Sequence, residues 1–344
     1  MEKHFIYSLA ATFITVALAM GSLTACSNED SVVDTMPGGV SSTAPVVYSV
    51  NIPAMLGDMG TTRAVAFNDI TGGMESTFRT TDKITVYNTS KNCAAINKEG
   101  EYIFLHADTN TKTANLVGEL VFIKRDNTNY NVETGDKLLL IYNTSGSNFK
   151  YNNGRTNPDH TSGQKGTLAS LNDYHYATAE VTITDISGAG TADIPYTMTT
   201  TPASFTNLQS MFKLTFTGMP NNFSSDGHYQ GYDGIKKITI HSAKKKLASI
   251  YSPYNDKNTC GDLEIKLGGS GDDDIAARKA NGAGNVVYAA LRFLPLNETE
   301  TDEITFSIQT TAGDYIAKMI SPVGGFQNGK YYNLTIEANP KEGG

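Results

Sequence analysis

The chain has 344 residues, 18% of them charged, with 18 Tyr, 14 Phe, no Trp and a formal net charge of −8. The low charge, filled in by Thr, Asn, Ser, Gly and Tyr, fits extended strands joined by polar turns. The acidic balance argues against nucleic acid as a partner, and a single long apolar stretch at the start argues against a polytopic membrane protein.

The chain opens with Lys3 and His4 before an apolar stretch from Phe5 to Met20, the pattern of a secretory signal over residues 1–25. Leu23-Thr24-Ala25-Cys26 resembles the lipobox of bacterial lipoproteins, which implies cleavage before Cys26 and acylation of its thiol. Two or three acyl chains hold a protein on a membrane where one does not. Ser27-Asn28-Glu29-Asp30 follows, an acidic cluster resembling the surface-export signal of Bacteroidales lipoproteins. Residues 26–45, with Pro37-Gly38-Gly39, read as a flexible tether.

Strict alternation marks the strands beyond it. Val46, Tyr48, Val50 and Ile52 share one face of the first. The same period places Ile84 with Val86, Ala177 with Ala179, Val181 and Ile183, and Phe212 with Leu214 and Phe216. It recurs in Ile304, Phe306 and Ile308, and in Tyr332, Leu334 and Ile336. The unbroken apolar runs Leu138–Tyr142 and Val286–Phe293 read as central strands buried on both faces. Short helices are expected over 168–174 and 275–280. The polar stretches 143–165 and 268–285 read as surface loops. The expected fold is all-β, two antiparallel β-sandwich domains in tandem with few short helices. The domains run over 46–203 and 204–344.

Signals for catalysis are lacking. No metal-protease, nucleophile-elbow, phosphate-loop or paired-cysteine motif occurs. The histidines His106, His160, His175, His228 and His241 share no ligand spacing and read as structural. Asp272-Asp273-Asp274 lacks the alternation of a calcium loop and reads as a solvated acidic loop. Tyr142, Phe149 and Tyr151 could form a sugar platform, though packing is the favoured reading. Cys93 and Cys260 are assigned to different domains and read as two thiols rather than a bridge. No cofactor or metal is expected, and no enzymatic activity.

One short motif remains. Thr61-Thr62-Arg63-Ala64 sits between the first strand and the rest of the chain, behind the Gly- and Met-rich segment 55–60. An Arg in such a linker is accessible to an Arg-specific protease.

The lipobox with its acidic follower, the early alternating strand and Thr-Arg-Ala before a β-rich body together resemble the fimbrillin family of Bacteroidales, the pilus-subunit lipoproteins. Asp82-Lys83-Ile84-Thr85-Val86-Tyr87, Gly135-Asp136-Lys137, Phe205–Phe216 and Phe326-Gln327-Asn328-Gly329-Lys330-Tyr331-Tyr332 resemble its strand motifs, the third as the opening of the second domain. No Trp stands near the Asp82 strand, where many relatives carry one. The resemblance implies transthyretin-like sandwiches and a structural or adhesive subunit of a surface fimbria. It implies lipidation at Cys26 and outer-membrane delivery, then cleavage between Arg63 and Ala64. The Val46, Tyr48, Val50 and Ile52 strand would then be displaced, and subunits would assemble by donor-strand exchange. Tyr332, Leu334 and Ile336 are the candidate donor strand, although only eight residues follow Ile336. The implied partners are other fimbrial subunits, the protease and a surface receptor. The competing reading is a surface-tethered glycan-binding lipoprotein of a nutrient-uptake system.

Overall fold

A computed structural model describes residues 45–57, 66–68, 73–75, 77–123, 130–143, 159–160, 164–171, 176–219, 234–252, 257–267, 284–310 and 313–341. Cys26, Arg63, Ala64, Phe149, Tyr151, Asp272–Asp274 and the helix expected over 275–280 lie outside the described residues.

In chain order the elements are β1 (Tyr48–Leu56), β2 (Ala66–Asn68), β3 (Gly73–Glu75), β4 (Ile84–Asn88), β5 (Cys93–Ala94), β6 (Phe104–Ala107), β7 (Thr113–Leu120), β8 (Lys137–Asn143) and β9 (Asp159–His160). The helix α1 (Leu168–Leu171), β10 (Tyr176–Ser187), β11 (Tyr196–Thr200) and β12 (Ala203–Asn207) follow. Next come β13 (Ser210–Thr217), β14 (Ile235–Ser242), β15 (Ala248–Ser252), β16 (Lys257–Cys260) and β17 (Leu263–Lys266). The last four are β18 (Val286–Leu291), β19 (Glu303–Thr310), β20 (Asp314–Ile320) and β21 (Tyr331–Pro340).

The fold is all-β, with two large sheets. The first runs β11-β1-β12-β10-β8-β4-β6-β7, and β7 pairs back to β1, so the sheet closes on itself. Its core is lined by Ile52, Ile84, Leu105, Leu116, Leu138, Ala177 and Phe205 among others. The second runs β17-β14-β19-β20-β21-β13-β18 over a core that includes Phe212, Leu214, Phe216, Ile240, Leu263, Phe306 and Phe326. Pairing is mostly antiparallel, but β1 runs parallel to β11 and β12, and β13 parallel to β21. Predicted faces hold: Ala177, Ala179, Val181 and Ile183 are buried, as are Phe212, Leu214, Phe216, Ile304, Phe306 and Ile308.

Several expectations change. The segment 205–216 is not one strand. It breaks at Leu208 and Gln209, so Phe205 packs in the first core and Phe212 in the second. The first sheet therefore ends at Asn207. The expected helix is present over Leu168–Leu171, and its residues 172–174 lie outside the described residues. The run 286–293 is buried apart from the half-buried Tyr288, yet among the described strands β18 lies at an edge and not at the centre. What buries that edge is the end of the stretch read as a surface loop. The Gln164 side chain donates from Nε2 to the Ala290 carbonyl at 2.7 Å and accepts from the Ala290 N–H at 2.8 Å. Its backbone carbonyl accepts from Lys266 N–H at 2.9 Å, and Gly166 O accepts from Tyr288 N–H at 2.9 Å. Gln164 thus acts as a substitute peptide group that joins the two edge strands, β17 and β18, and satisfies donors and acceptors that burial would otherwise orphan. Leu171 of α1 packs beside it on Met211 and Ala290.

The carboxylates of the sequence motifs serve turns. Asp82 is fully buried and accepts from the Arg79 N–H at 2.9 Å and from the Tyr142 hydroxyl. Asp136, after Gly135 at φ 94°, accepts from Asn88 Nδ2 at 2.9 Å and from Glu133 N–H at 3.1 Å. Charge-assisted bonds of this kind are the means by which a buried carboxylate stays compatible with a core.

Candidate functional site

β1 is the stave that closes the first barrel. On one side it pairs antiparallel with β7 through eight register positions, Tyr48↔Leu120 to Met55↔Thr113. On the other it runs parallel to β11 over Tyr48–Val50 and to β12 over Ala54–Leu56. The strand continues four residues past the expected end at Ile52, through Pro53. A proline inside a sheet removes a ladder donor. Here Pro53 falls in the gap between the β11 and β12 pairings, where no partner waits for an N–H.

The strand's inward side chains are dry. Tyr48, Val50, Ile52, Ala54 and Leu56 alternate with exposed neighbours, and none of the five exceeds 6% exposure. Val46 precedes the strand and packs against the same core half-buried. The Tyr48 ring stacks on Tyr196 at 5.6 Å and meets Phe122 edge-on at 6.1 Å. Its hydroxyl accepts from Val132 N–H at 3.2 Å. Burial raises the Tyr48 phenol above its ordinary range, against the opposing pull of the Val132 bond. Burying Tyr48, Val50, Ile52 and Leu56 is worth roughly 6–12 kcal/mol gross at ~1.5–3 per side chain. Without β1, Leu116 and Leu120 of β7, Met198 of β11 and Phe205 of β12 would line a wet slot between two unpaired backbone edges. Such an edge templates an incoming strand.

β1 leaves the barrel at Gly57. A Cβ there would stand 2.7 Å from the Phe205 carbonyl oxygen, so the backbone passes where no other residue fits. The segment that carries Arg63 and Ala64 then connects to β2.

The candidate donor residues Tyr332, Leu334 and Ile336 lie in β21, inside the second sheet. β21 pairs parallel with β13 over seven positions, Met211↔Tyr331 to Thr217↔Glu337. Its antiparallel pairing with β20 covers only Tyr315↔Pro340 to Ala317↔Ala338. Ile336 and Ala338 are buried, whereas Tyr332 and Leu334 are half-buried. The closing motif supplies Phe326, which packs against Phe212 at 5.0 Å and Tyr332 at 4.9 Å. Burial pushes the Tyr331 phenol up to about 12, with the neighbouring Tyr288 adding to the shift.

Among the described residues the remaining candidates take structural places, while His175 and His228 lie outside them. Tyr142 is buried at 1% in the first core, so it offers no sugar platform. His106 Nδ1 lies 3.0 Å from the Asp82 carbonyl, and His241 pairs with Asp262 at 2.6 Å on the surface. Cys93 lies in the first core and Cys260 in β16, with no disulfide between them. Among the described residues no group of three or more His, Cys, Asp or Glu could hold a metal ion. Gln164 was missed in the sequence. It is one polar residue in a polar stretch, and its partner Ala290 lies 126 positions away.

No family model and no curated protein matches the sequence. Solved structures do. A cell adhesion protein of Bacteroides uniformis is similar at 12% identity, over 87% of this chain and 97% of that one, with TM-score 0.36. The fimbrial tip protein Mfa3 of Porphyromonas gingivalis, truncated at its C-terminus, is similar at 8% identity over 86% and 96%, with TM-score 0.38. An adhesin of Bacteroides ovatus is similar at 12% identity over 87% and 90%, with TM-score 0.36. At these low identities and scores, the fold class stands on this chain's own strands and pairings.

Proposed function

We propose that this chain is a structural or adhesive subunit of a cell-surface fimbria. It is exported as a lipoprotein through Cys26, cut between Arg63 and Ala64, and assembled by replacement of β1 with a strand from another subunit. The observation that carries this reading is the closing position of β1. The strand is hydrogen-bonded along both edges, buries every inward side chain, and is followed by the Arg63 linker.

β21 weighs on which end of the exchange this chain serves. To donate Tyr332, Leu334 and Ile336 it would have to leave β13 and uncover Ile336 and Ala338. That cost supports a place where the chain accepts a strand and gives none, as at the end of a fibre.

Limited digestion of the lipid-free mature chain with an Arg-specific protease tests the reading, followed by intact mass and a gel run without boiling. One early cut after Arg63 is expected. Release of β1 should follow when a peptide with a matching alternating strand is added, and a heat-sensitive complex with that peptide should form. Resistance at Arg63 with β1 still seated would overturn strand replacement and leave a lipid-tethered surface protein.

A further inference from the structure

The outer face of the first barrel carries a cleft of about 500 Å³ at the far end of β1. Its floor comes from three adjacent strands, where Pro53 and Met55 of β1 lie between β7 and β12 beside Pro202. The turn between β6 and β7 rises over it as a wall bearing Asp108 and Thr109. Thr113 and Ser204 add hydroxyls on either side of Met55.

The wall is pre-organised. One Asp108 oxygen accepts from the Asn115 N–H and the other from Asn115 Nδ2, both at 2.8 Å. Those bonds hold the Asp108 carboxyl below its ordinary range, so it stays an acceptor at neutral pH. The Thr109 hydroxyl lies 3.0 Å from that of Thr111 and 3.2 Å from the Thr113 carbonyl. Among the described residues no Lys, Arg or His lines the cleft.

We propose that this cleft binds a neutral carbohydrate, a short stretch of uncharged glycan, and that the strand seated in the β1 position completes the site. The volume lies within the ~300–1,000 Å³ of small-molecule sites. A sugar ring presents adjacent hydroxyls that both donate and accept, and the rim of hydroxyls, carboxamide and carboxylate answers both needs. The ring's C–H face suits a floor of Pro53, Pro202 and Met55. An anionic ligand would meet the Asp108 charge with no cation among the described lining residues to offset it. A cationic ligand would gain little from one exposed carboxylate already engaged by Asn115. Because Pro53 and Met55 belong to β1, a strand that replaces β1 brings its own side chains to the floor and resets the affinity. The site requires the closed barrel and does not depend on cleavage or polymerisation.

The test uses the uncut, lipid-free mature chain and a panel of immobilised neutral di- to tetrasaccharides containing glucose, galactose, mannose, fucose or N-acetylhexosamines. Solution titration of each hit follows. Saturable binding of at least one neutral probe is expected, weakened roughly tenfold or more by Asp108→Asn and by Ser204→Trp. Thr206→Trp, on the outward face of β12 but outside the cleft, should leave affinity and melting temperature unchanged. Binding should also fall when Arg63 is cut and β1 is lost, and return in altered form when a foreign strand is seated. The proposal is overturned by no neutral probe binding, by binding that Ser204→Trp leaves intact, or by capture of sialylated, sulfated or cationic probes alone. Resistance at Arg63 would defeat the fimbrial reading while the uncut chain still tests the cleft.

Discussion

β1 and β21 hold the same kind of place in two different sheets. Each has parallel pairing along one edge, to β11 and β12 for β1 and to β13 for β21, and antiparallel pairing along the other. β1 seals its barrel, since its five inward side chains are all buried. β21 seals only half of its own, because β20 diverges from it beyond Ala338 and leaves Tyr332 and Leu334 half-buried. Their connections differ as well. β21 follows its antiparallel neighbour directly in the chain, while the neighbours of β1 all lie far along the sequence. A strand with no hairpin to either neighbour can leave without unravelling the chain around it. The chain thus has one strand whose removal opens a complete slot, and one whose removal would open a partial slot and break its own sheet.

Removing β1 without a substitute should give the largest effect. A chain lacking residues 45–57 forfeits roughly 6–12 kcal/mol gross, comparable to the whole stability of a domain. The first core should lose cooperative unfolding in denaturant while the second keeps it. Unchanged melting of the first core would break the comparison with β21.

Single truncations sharpen it. Ile52→Ala should cost about 3–4 kcal/mol and Leu334→Ala about 1–2, because a half-buried site leaves a smaller cavity and less lost transfer energy. Equal losses in urea titrations would mean that β21 is as sealed as β1.

The seal of the second sheet depends on Gln164. Gln164→Ala should cost about 2–3 kcal/mol, since it strands the buried N–H and C=O of Ala290. Hydrogen exchange at Ala290 should rise, while the amides of β1 stay protected. Gly166→Ala should act in the same direction. It sits at φ 72°, and its Cβ would meet Leu267 Cγ at 2.8 Å.

Alkaline titration gives a smaller effect. Burial raises the Tyr331 phenol, so folding favours its protonated form. The stability this contributes is whole below the unfolded phenol range near ~10, and is lost as pH rises toward about 12. Phenolate absorbance should show a late phase above the ordinary tyrosine range that Tyr331→Phe shrinks, with Tyr48 and Tyr288, also raised by burial, supplying the rest. A late phase that Tyr331→Phe leaves unchanged would contradict the burial. Smallest of all, Glu180→Gln should change stability by under about 0.5 kcal/mol, because its 2.8 Å pair with Lys137 is exposed on both sides. A larger shift in the urea midpoint would show that the pair belongs to a wider network.

Side-chain alternation located β1 and three of the side chains it buries, Tyr48, Val50 and Ile52, because a strand's two faces follow from period two alone, but it stopped short of Ala54 and Leu56 beyond Pro53. The same period placed Phe212, Leu214 and Phe216 inward. The run 286–293 shows where that reasoning stops. Its composition announces burial on both faces, but not whether a neighbouring strand or a distant Gln164 supplies the cover. Likewise Phe205 and Phe212 look like one strand until the break at Leu208 and Gln209 assigns them to separate cores.

From the residues alone came the all-β class, most of the inward faces and the start of the first strand. Each is a local property, carried by neighbours a few positions apart. Only the tertiary structure decided that β1 closes a barrel between β7 and the β11–β12 pair, that Gln164 bridges two edges, and that Pro53, Asp108 and Ser204 meet around one cleft. Those facts rest on hydrogen bonds and packing between residues tens to more than a hundred positions apart, and which strand lies beside which is settled by the energy of the whole closed sheet.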